Sequence, residues 1–445
     1  MRRVSIQSVL LLAPSGLFAQ AVAATPVDPI FVNIGIESGL VWGGDSEAEP
    51  ADAQGRVVVF EHTIDIAGGA WMRVDFGAVE LGEAPRDGSA TILRLTSTHD
   101  GAQQRLEARH VDEWAHMSAF FNGGSVRVEV LSDPMAEPSS IEIDRVLVQP
   151  GYTFAPDLSA MVESICGSSD DRELSSEPRV ARGWTTSGSA NCTAWIIDDC
   201  MKCVLAAGHC GFSQIHFNNP LSTPGGVPVM PHPDDQYAID RSSEQEDASG
   251  VGRDWYYGGA FANPNTGLTP FEAQGDAFKL AQVIPPVDGR DIRVTGHGVT
   301  GSGVDPTWFR AQKTHTGPFV DASGTSVRYA MDTTSGNSGS PVIDDTTGLA
   351  IGVHTHGGCS SSGGSNAGTA ITAPALQAAL ASPSGICVNP CPADLDCNAL
   401  LDIFDFLEFS NLFSTSDVRA DLDGDGVLTV LDFLAFQNAF DAGCS

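Results

Sequence analysis

The sequence predicts a mainly β, multidomain protein: an N-terminal β-sandwich, a glycine-rich all-β domain, and a small helical module at the C-terminus. Three observations predict it. Between residues 27 and 150 the chain alternates apolar and polar residues in short runs such as "VVVFEHTIDI", "AWMRVDF", "SVRVEV" and "IEIDRVLV". Side chains of a strand point alternately to its two faces, so this period marks half-buried strands. Residues 186–380 are rich in glycine and poor in helical periodicity, and from residue 391 onward Asp-rich loops alternate with Phe/Leu helices. A chain of 445 residues accommodates several domains of this kind.

The chain opens "MRRVSIQSVLLLAPSGLFAQAVAATP". Two arginines precede an apolar stretch, and Ala21-Val22-Ala23 supplies a small-x-small cleavage pattern, so residues 1–24 read as a secretory signal peptide. A membrane anchor is the rival. Pro14, Ser15 and Gly16 interrupt the run, which is too short to span a bilayer, and no later segment is long enough either. The expected location is therefore secreted or cell-surface associated. Ten cysteines, an even number, suit an oxidising compartment. A net charge of −33 argues against a nucleic-acid partner, which requires clustered Lys and Arg.

In the first region, turn-formers such as "AGGA" and "NGG" separate the strand patterns, which suggests a sandwich of the jelly-roll kind. It carries no catalytic constellation; a binding module, a pro-region and a spacer all fit. Residues 151–185 are polar and irregular and read as a connector open to processing. A linker with Pro383 and Pro390 spans 381–390.

The chemistry concentrates in 186–380. "TTSGNSGSPVID" sets Ser338 between glycines two before and one after it. Glycine permits positive φ and close backbone approach, which exposes a hydroxyl beside unpaired N–H groups, as acyl transfer needs. Upstream, "CTAWIIDDCMKCVLAAGHCG" delivers His209 at the end of an apolar stretch and next to a cysteine, where a general base would be held firmly. "VGRDWYYGGAF" offers Asp254, shielded by the aromatic residues after it, to orient the imidazole. Asp234, Asp235 and Asp240 are rivals in a polar stretch without an apolar frame. The order is His209, Asp254, Ser338, separated by 45 (254 − 209) and 84 (338 − 254) residues.

These stretches, with "VTGHG", "YAMDTTSGNSGSPV" and "IGVHTHGG", resemble the trypsin/chymotrypsin superfamily of serine endopeptidases, in the V8-type glutamyl-endopeptidase branch. The resemblance covers nearly the whole of 186–380. It implies a chymotrypsin-like double β-barrel with His209, Asp254 and Ser338 in the cleft, and an oxyanion hole from the N–H groups of Gly336 and Ser338. One departure is Asn337 before the nucleophile, where pancreatic-type enzymes carry an aspartate. A neutral amide cannot form their ion pair with a freed N-terminus, so activation by cutting near Arg179 or Arg182 would work differently.

The same resemblance implies that Thr333 and His354 receive a glutamate side chain at P1, with His356 able to share the face of His354. Asp332, six residues before the serine, stands where trypsin-like enzymes bind Lys or Arg, although several glutamate-cutting relatives carry an aspartate there too. The reading leans to acidic P1, with basic P1 as the alternative. "GHGVTG" (296–301) matches G-x-G-x-x-G, but no helix period follows it, so it reads as a turn rather than a phosphate cradle.

Among relatives of this kind the cysteines act as staples. Cys192–Cys210 would close the loop around the histidine, and Cys166–Cys359 would follow a similarly placed pair in lysyl-endopeptidase-like enzymes. Cys200 and Cys203 suit a local hairpin bridge; zinc or redox chemistry would need further ligands or a βαβ context that is lacking. Cys391 and Cys444 bracket the C-terminal module, which leaves Cys387 to meet Cys397.

That module carries two phased loops. "DLDGDGVLTVLD" places Asp421, Asp423, Asp425, Thr429 and Asp432 at positions 1, 3, 5, 9 and 12, with Gly426 at the sharp turn. "DLDCNALLDIFD", 27 residues earlier (421 − 394), places Asp394, Asp396, Asn398, Asp402 and Asp405 likewise, with Ala399 a poorer turn residue at position six. Several oxygens converging from one tight loop suit calcium. The pair resembles a type I dockerin, which implies calcium binding and a cohesin-like or cell-surface partner. The family's polar recognition positions are here Ile403, Phe404, Val430 and Leu431, all apolar, a departure that bears on cohesin binding and not on calcium.

The sequence thus predicts a secreted serine endopeptidase that acts on protein or peptide substrates, with calcium as cofactor of the C-terminal loops only. The rival from another class is a non-catalytic adaptor with a protease-like fold, held in an extracellular assembly by its terminal modules. An esterase is disfavoured by the order of the triad and the lack of βαβ alternation.

Overall fold

The computed structural model describes residues 28–45, 50–83, 91–151, 164–300, 303–398 and 400–444. The signal-peptide segment and Ala399 lie outside the described residues. Among the described residues no helix is long and apolar enough to cross a membrane.

The alternating N-terminal runs form two four-stranded antiparallel sheets. One has the spatial order Ile30–Glu37, Ser140–Pro150, Gly69–Glu80, Phe121–Asn122; the other has Val57–Asp65, Ser125–Ser132, Ile92–Ser97, Gln103–Leu106. The apolar members of each period face inward: Met72 and Val74 meet Leu93, Leu95, Val126, Val128 and Val130, all fully buried. This is the sandwich that the period-2 pattern predicts.

Two further β units follow. In the first, seven antiparallel strands run in the order Gln236–Ala238, Gln214–His216, Val180–Trp184, Ala190–Ile196, Val204–Ala206, Asp254–Gly258, Gln245–Ala248. In the second, Asp291–Gly296, Pro341–Asp344, Ala350–His356, Asn366–Ala370, Ser326–Tyr329 and Lys313–Ser323 close into a ring, because Gly296 pairs with Lys313 along the seam. A closed six-stranded barrel beside a half-barrel is the chymotrypsin-like architecture. Trp195, Leu205 and Tyr257 of the half-barrel pack into one cluster with Val294, Val342 and Val353 of the closed barrel, so a shared core fixes the two units together.

The expected connector is corrected by the structure. Within 151–185, Glu173–Leu174 pairs with the strand Lys313–Ser323, and Val180–Trp184 is an inner strand of the half-barrel, paired on both sides. Arg182 is fully buried, and Arg179 pairs with Glu177 and lies 3.7 Å above the Phe278 ring. Part of the polar composition that suggested a loose segment belongs to the Arg172–Asp170 and Arg179–Glu177 pairs held within the fold.

The sandwich is fastened to the half-barrel. The Gln236 amide accepts from Phe120 N–H at 2.8 Å and donates to the Phe120 carbonyl at 2.9 Å. The rings of Trp71, Phe120, Trp184 and His216 pack edge to face or tilted around that contact, with centroids 4.9–5.7 Å apart. Such aromatic contacts bury large apolar area with defined geometry.

All ten cysteines are paired. Cys166 bonds Cys359, Cys192 bonds Cys210, and Cys391 bonds Cys444. The local Cys200–Cys203 bridge and the Cys387–Cys397 bridge are not formed: Cys200 bonds Cys397 and Cys203 bonds Cys387. Cys203 is buried in the shared core beside Cys387, while Cys200 stands at the hairpin tip and meets the first acidic loop. The C-terminal module, helices Ile403–Ser414 and Val430–Ala442 around Phe409, Leu412 and Phe436, is thereby tied to the hairpin that leads to His209.

Candidate active site

The strand Val204–Ala206 runs into a single tight turn, Gly208–Cys210, that holds His209. Gly208 is required there, since any Cβ would collide with the Asp247 carbonyl. Asp254 opens its strand almost fully buried, and its backbone is clamped across the barrel junction by the Thr369 hydroxyl, which accepts from Asp254 N–H at 3.1 Å and donates to its carbonyl at 2.7 Å. The carboxylate meets His209 twice: Oδ2 lies 2.6 Å from Nδ1, and Oδ1 accepts the backbone N–H at 3.2 Å. This fixes the ring with Nδ1 as the donor and leaves Nε2 on the accessible side; the imidazole is 40% exposed against 3% for its partner.

The Ser338 turn is held on every side. Gly336 and Gly339 adopt φ of 99° and 89°, values that disfavour any L side chain. Gly336 carbonyl accepts from Thr193 Oγ1 at 2.9 Å, Ser338 carbonyl from Thr193 N–H at 2.8 Å, and Gly339 carbonyl from Trp195 Nε1 at 2.9 Å. Cys210 Sγ lies 3.9 Å from the Ser338 carbonyl, so the disulfide beside His209 abuts the serine's own backbone. Among the described residues no hydrogen bond joins Ser338 Oγ to His209 Nε2, and neither Gly336 nor Ser338 N–H has an acceptor. Two free donors in a glycine turn offer a chemistry suited to negative charge.

The expected specificity residues fall on one wall with different surroundings. Asp332 is buried, and its two oxygens accept from Cys166 N–H and Asp171 N–H, each at 2.7 Å. Its charge is spent on backbone amides. Thr333 Oγ1 accepts from Asn366 Nδ2 at 2.9 Å. His354 is buried with Nδ1 at 2.6 Å from the Tyr329 hydroxyl, and among the described residues its Nε2 has no partner. Burial first, then the neighbouring His356 and His209, pushes His354 down to about 3, so the ring is neutral at ordinary pH. A bulge after His354 interrupts the alternation on which a shared face with His356 was expected; the His356 ring sits 6.4 Å from that of His209.

In the C-terminal module, carboxylate oxygens of Asp394, Asp396 and Asp405 lie within 4.8 Å of one another, as do those of Asp421, Asp423 and Asp432. Burial and then the neighbouring carboxylates, Asp405 foremost, raise the Asp396 carboxyl. Convergent, mutually repelling oxygens fit a hard divalent cation. Asp402 and Thr429 cap the two helices through Phe404 and Leu431 N–H, Asp425 accepts from Val427 N–H, and Asn398 from Leu400 N–H. Asp394, Asp396, Asp405, Asp421, Asp423 and Asp432 likewise accept backbone N–H groups, so all ten expected ligands also shape the backbone.

Sequence reasoning missed Thr193, Tyr329, Asn366 and Thr369, each an ordinary strand residue whose role appears only across strands. It also missed Arg172, which sat in a stretch read as irregular.

No protein-family model matches the chain, and no curated protein does. Solved structures do. A Glu endopeptidase in complex with MPD is 19% identical, with a TM-score of 0.37 over 48% of this chain and 96% of its own. Neuropsin, a serine protease of mouse brain, is 18% identical, with a TM-score of 0.34 over 45% and 94%. Protease Anisep from Arthrobacter nicotinovorans is 16% identical, with a TM-score of 0.34 over 45% and 93%.

Proposed function

We propose that this chain is a secreted serine endopeptidase whose nucleophile is Ser338. The observation that carries the reading is the buried Asp254 carboxylate bonded to His209 Nδ1 beside a glycine turn that offers two unengaged N–H groups. In this reading Ser338 Oγ attacks the scissile carbonyl while His209 Nε2 takes its proton. Asp254 holds the Nδ1–H tautomer and stabilises the imidazolium that forms. Gly336 and Ser338 N–H groups receive the oxyanion. His209 then returns the proton to the leaving amine, and water, activated by the same imidazole, resolves the acyl-enzyme. Oxyanion donors of this kind are each worth about 10²–10³ in rate.

At P1 the reading favours glutamate. A neutral His354 offers Nε2–H, since Nδ1 accepts from the Tyr329 hydroxyl, and Thr333 supplies a further hydroxyl. Asp332 is already paired with two amides and is a poor partner for Lys or Arg. Calcium would be held by Asp394, Asp396, Asn398, Asp402 and Asp405, and by Asp421, Asp423, Asp425, Thr429 and Asp432. There it would stabilise a two-helix module with little core of its own. It takes no part in the chemical step, and the module's partner is a cohesin-like or cell-surface protein.

Digestion of a peptide library by the full-length protein, with cleavage sites read by mass spectrometry, tests this reading. Glutamate enriched at P1, with all cleavage lost in Ser338→Ala, is expected. Enrichment of Lys or Arg would overturn the P1 assignment, and cleavage surviving in Ser338→Ala would overturn the nucleophile.

A further inference from the structure

Arg172 is a fully engaged, buried guanidinium (4% exposed) in the segment that precedes the half-barrel. Asp170 neutralises it through Nε at 2.7 Å and Nη2 at 2.6 Å. Its remaining N–H groups all reach the neighbourhood of the nucleophile. Nη1 donates to Thr334 Oγ1 at 2.7 Å and to Asn337 Oδ1 at 3.1 Å, and Nη2 donates to the Val299 carbonyl at 2.8 Å.

Those acceptors control the two peptide planes that matter for an oxyanion. The N–H of Ser338 belongs to the peptide whose carbonyl is Asn337's, and that carbonyl accepts from Ser340 N–H at 2.9 Å. The N–H of Gly336 belongs to the peptide whose carbonyl is Ser335's, which accepts from Val299 N–H at 2.9 Å. In a trans peptide the N–H points opposite to the C=O. Anchoring these two carbonyls therefore aims both N–H groups outward. Arg172 holds the backbone of Val299, whose N–H anchors the Ser335 carbonyl, and the side chain of Asn337, whose own carbonyl is the other one anchored. Asn337 Oδ1 also accepts from Thr334 N–H at 3.1 Å, which closes the loop on itself.

The segment that carries Arg172 is itself fixed to the same wall. Cys166 is bonded to Cys359, and the Asp332 carboxylate accepts from the N–H groups of Cys166 and Asp171. Gly298 keeps the space open, since a Cβ there would collide with Asn337 Oδ1, Thr334 Oγ1 and Arg172 Nη1.

Resting on the peptidase reading, we propose that Arg172 is a positioning residue: through Asn337 and Val299 it sets the direction of the Gly336 and Ser338 N–H donors. A side chain from the chain's own upstream segment thus supports the nucleophile loop, and a neutral Asn337 suffices because its partner is a guanidinium that needs an acceptor oxygen rather than a free amine that needs a carboxylate.

The test uses the calcium-loaded full-length protein, a peptide substrate taken from the library, and a peptide aldehyde whose hemiacetal oxygen occupies the oxyanion site. In Arg172→Met kcat should fall about 100-fold, the size of losing one oxyanion donor. KM should stay within about threefold, and aldehyde affinity should fall in parallel with kcat. Asn337→Leu should reproduce most of that split, and combining it with Arg172→Met should cost less than the two losses multiplied, because both remove the Arg172–Asn337 contact. Asn337→Asp, which keeps an acceptor for Arg172, should retain kcat within about fivefold. A folded Arg172→Met with wild-type kcat and aldehyde affinity overturns the proposal. If that variant does not fold, an Asn337→Leu protein with wild-type kcat overturns it equally. Wild-type protein that neither hydrolyses peptides nor reacts with a fluorophosphonate overturns the peptidase reading, and the proposal with it.

Discussion

Asp254 grips His209 at two points, the ring Nδ1 at 2.6 Å and the backbone N–H at 3.2 Å, while the Thr369 hydroxyl from the other barrel clamps the aspartate's own backbone. The imidazole is therefore oriented by a carboxylate that cannot swing. Asp254→Asn keeps the shape but presents an amide that selects the wrong tautomer. A loss of about 10⁴ in kcat with KM nearly unchanged is expected from steady-state hydrolysis. A loss below tenfold would mean that another group orients the base.

The proposed glutamate selection rests on a neutral His354. Tyr329→Phe removes the hydroxyl from Nδ1 and frees the ring to take the other tautomer. The kcat/KM for a Glu-P1 peptide should fall at least tenfold, with the Ala-P1 peptide affected less. Equal losses for both peptides would show that His354 does not read the P1 side chain.

Three buried histidines make stability fall on acidification. His216 and His297 are held well below their ordinary range by burial and by nearby Arg182, and His354 is held near 3 by burial. Each is neutral in the fold and takes up a proton in the unfolded chain below about 6.5, so the unfolded state binds more protons. Stability then rises with pH through this window and is lost as pH drops from about 6.5. Each buried histidine contributes a slope of roughly 1 kcal/mol per pH unit there. Urea midpoints between pH 7 and 5 should show a steeper fall for wild type than for His216→Gln; parallel curves would contradict the assignment.

The sandwich is fastened to the half-barrel by direct packing. Its Phe120 backbone meets the Gln236 amide, and Trp71 packs edge-on against Trp184. Trp71→Ala should cost about 3–5 kcal/mol by chemical denaturation and should destabilise the half-barrel along with the sandwich. A separate sandwich transition that leaves the barrels untouched would show instead that the two fold independently.

Chelation of calcium should lower the helical signal of the C-terminal module and expose its Phe-rich core to limited proteolysis. The fragment should stay attached, because Cys200–Cys397 and Cys391–Cys444 hold it. Unchanged helicity and protease resistance after chelation would contradict calcium binding by these loops.

Much of this was legible in linear form. Alternating runs gave the sandwich, the flanking glycines marked the Ser338 turn, and the phased aspartates located both acidic clusters. What escaped was information carried between segments. Composition made residues 151–185 look loose, because ion pairs such as Arg172–Asp170 use the same residues as a solvated linker. The proximity of Cys200 and Cys203 favoured a local bridge, yet the hairpin turns one sulfur toward the core and the other toward the first acidic loop. Asp332 sat at a charge-reading position in the sequence, and only the fold reveals the two amides that occupy it.

Covalent labelling of Ser338 tests the central claim most directly. Full-length, calcium-loaded protein treated with a fluorophosphonate should gain one adduct, located by mass spectrometry on Ser338. The adduct should be absent in Ser338→Ala and strongly slowed in His209→Ala. Wild-type protein that stays unlabelled, or labels at another serine, would contradict the account.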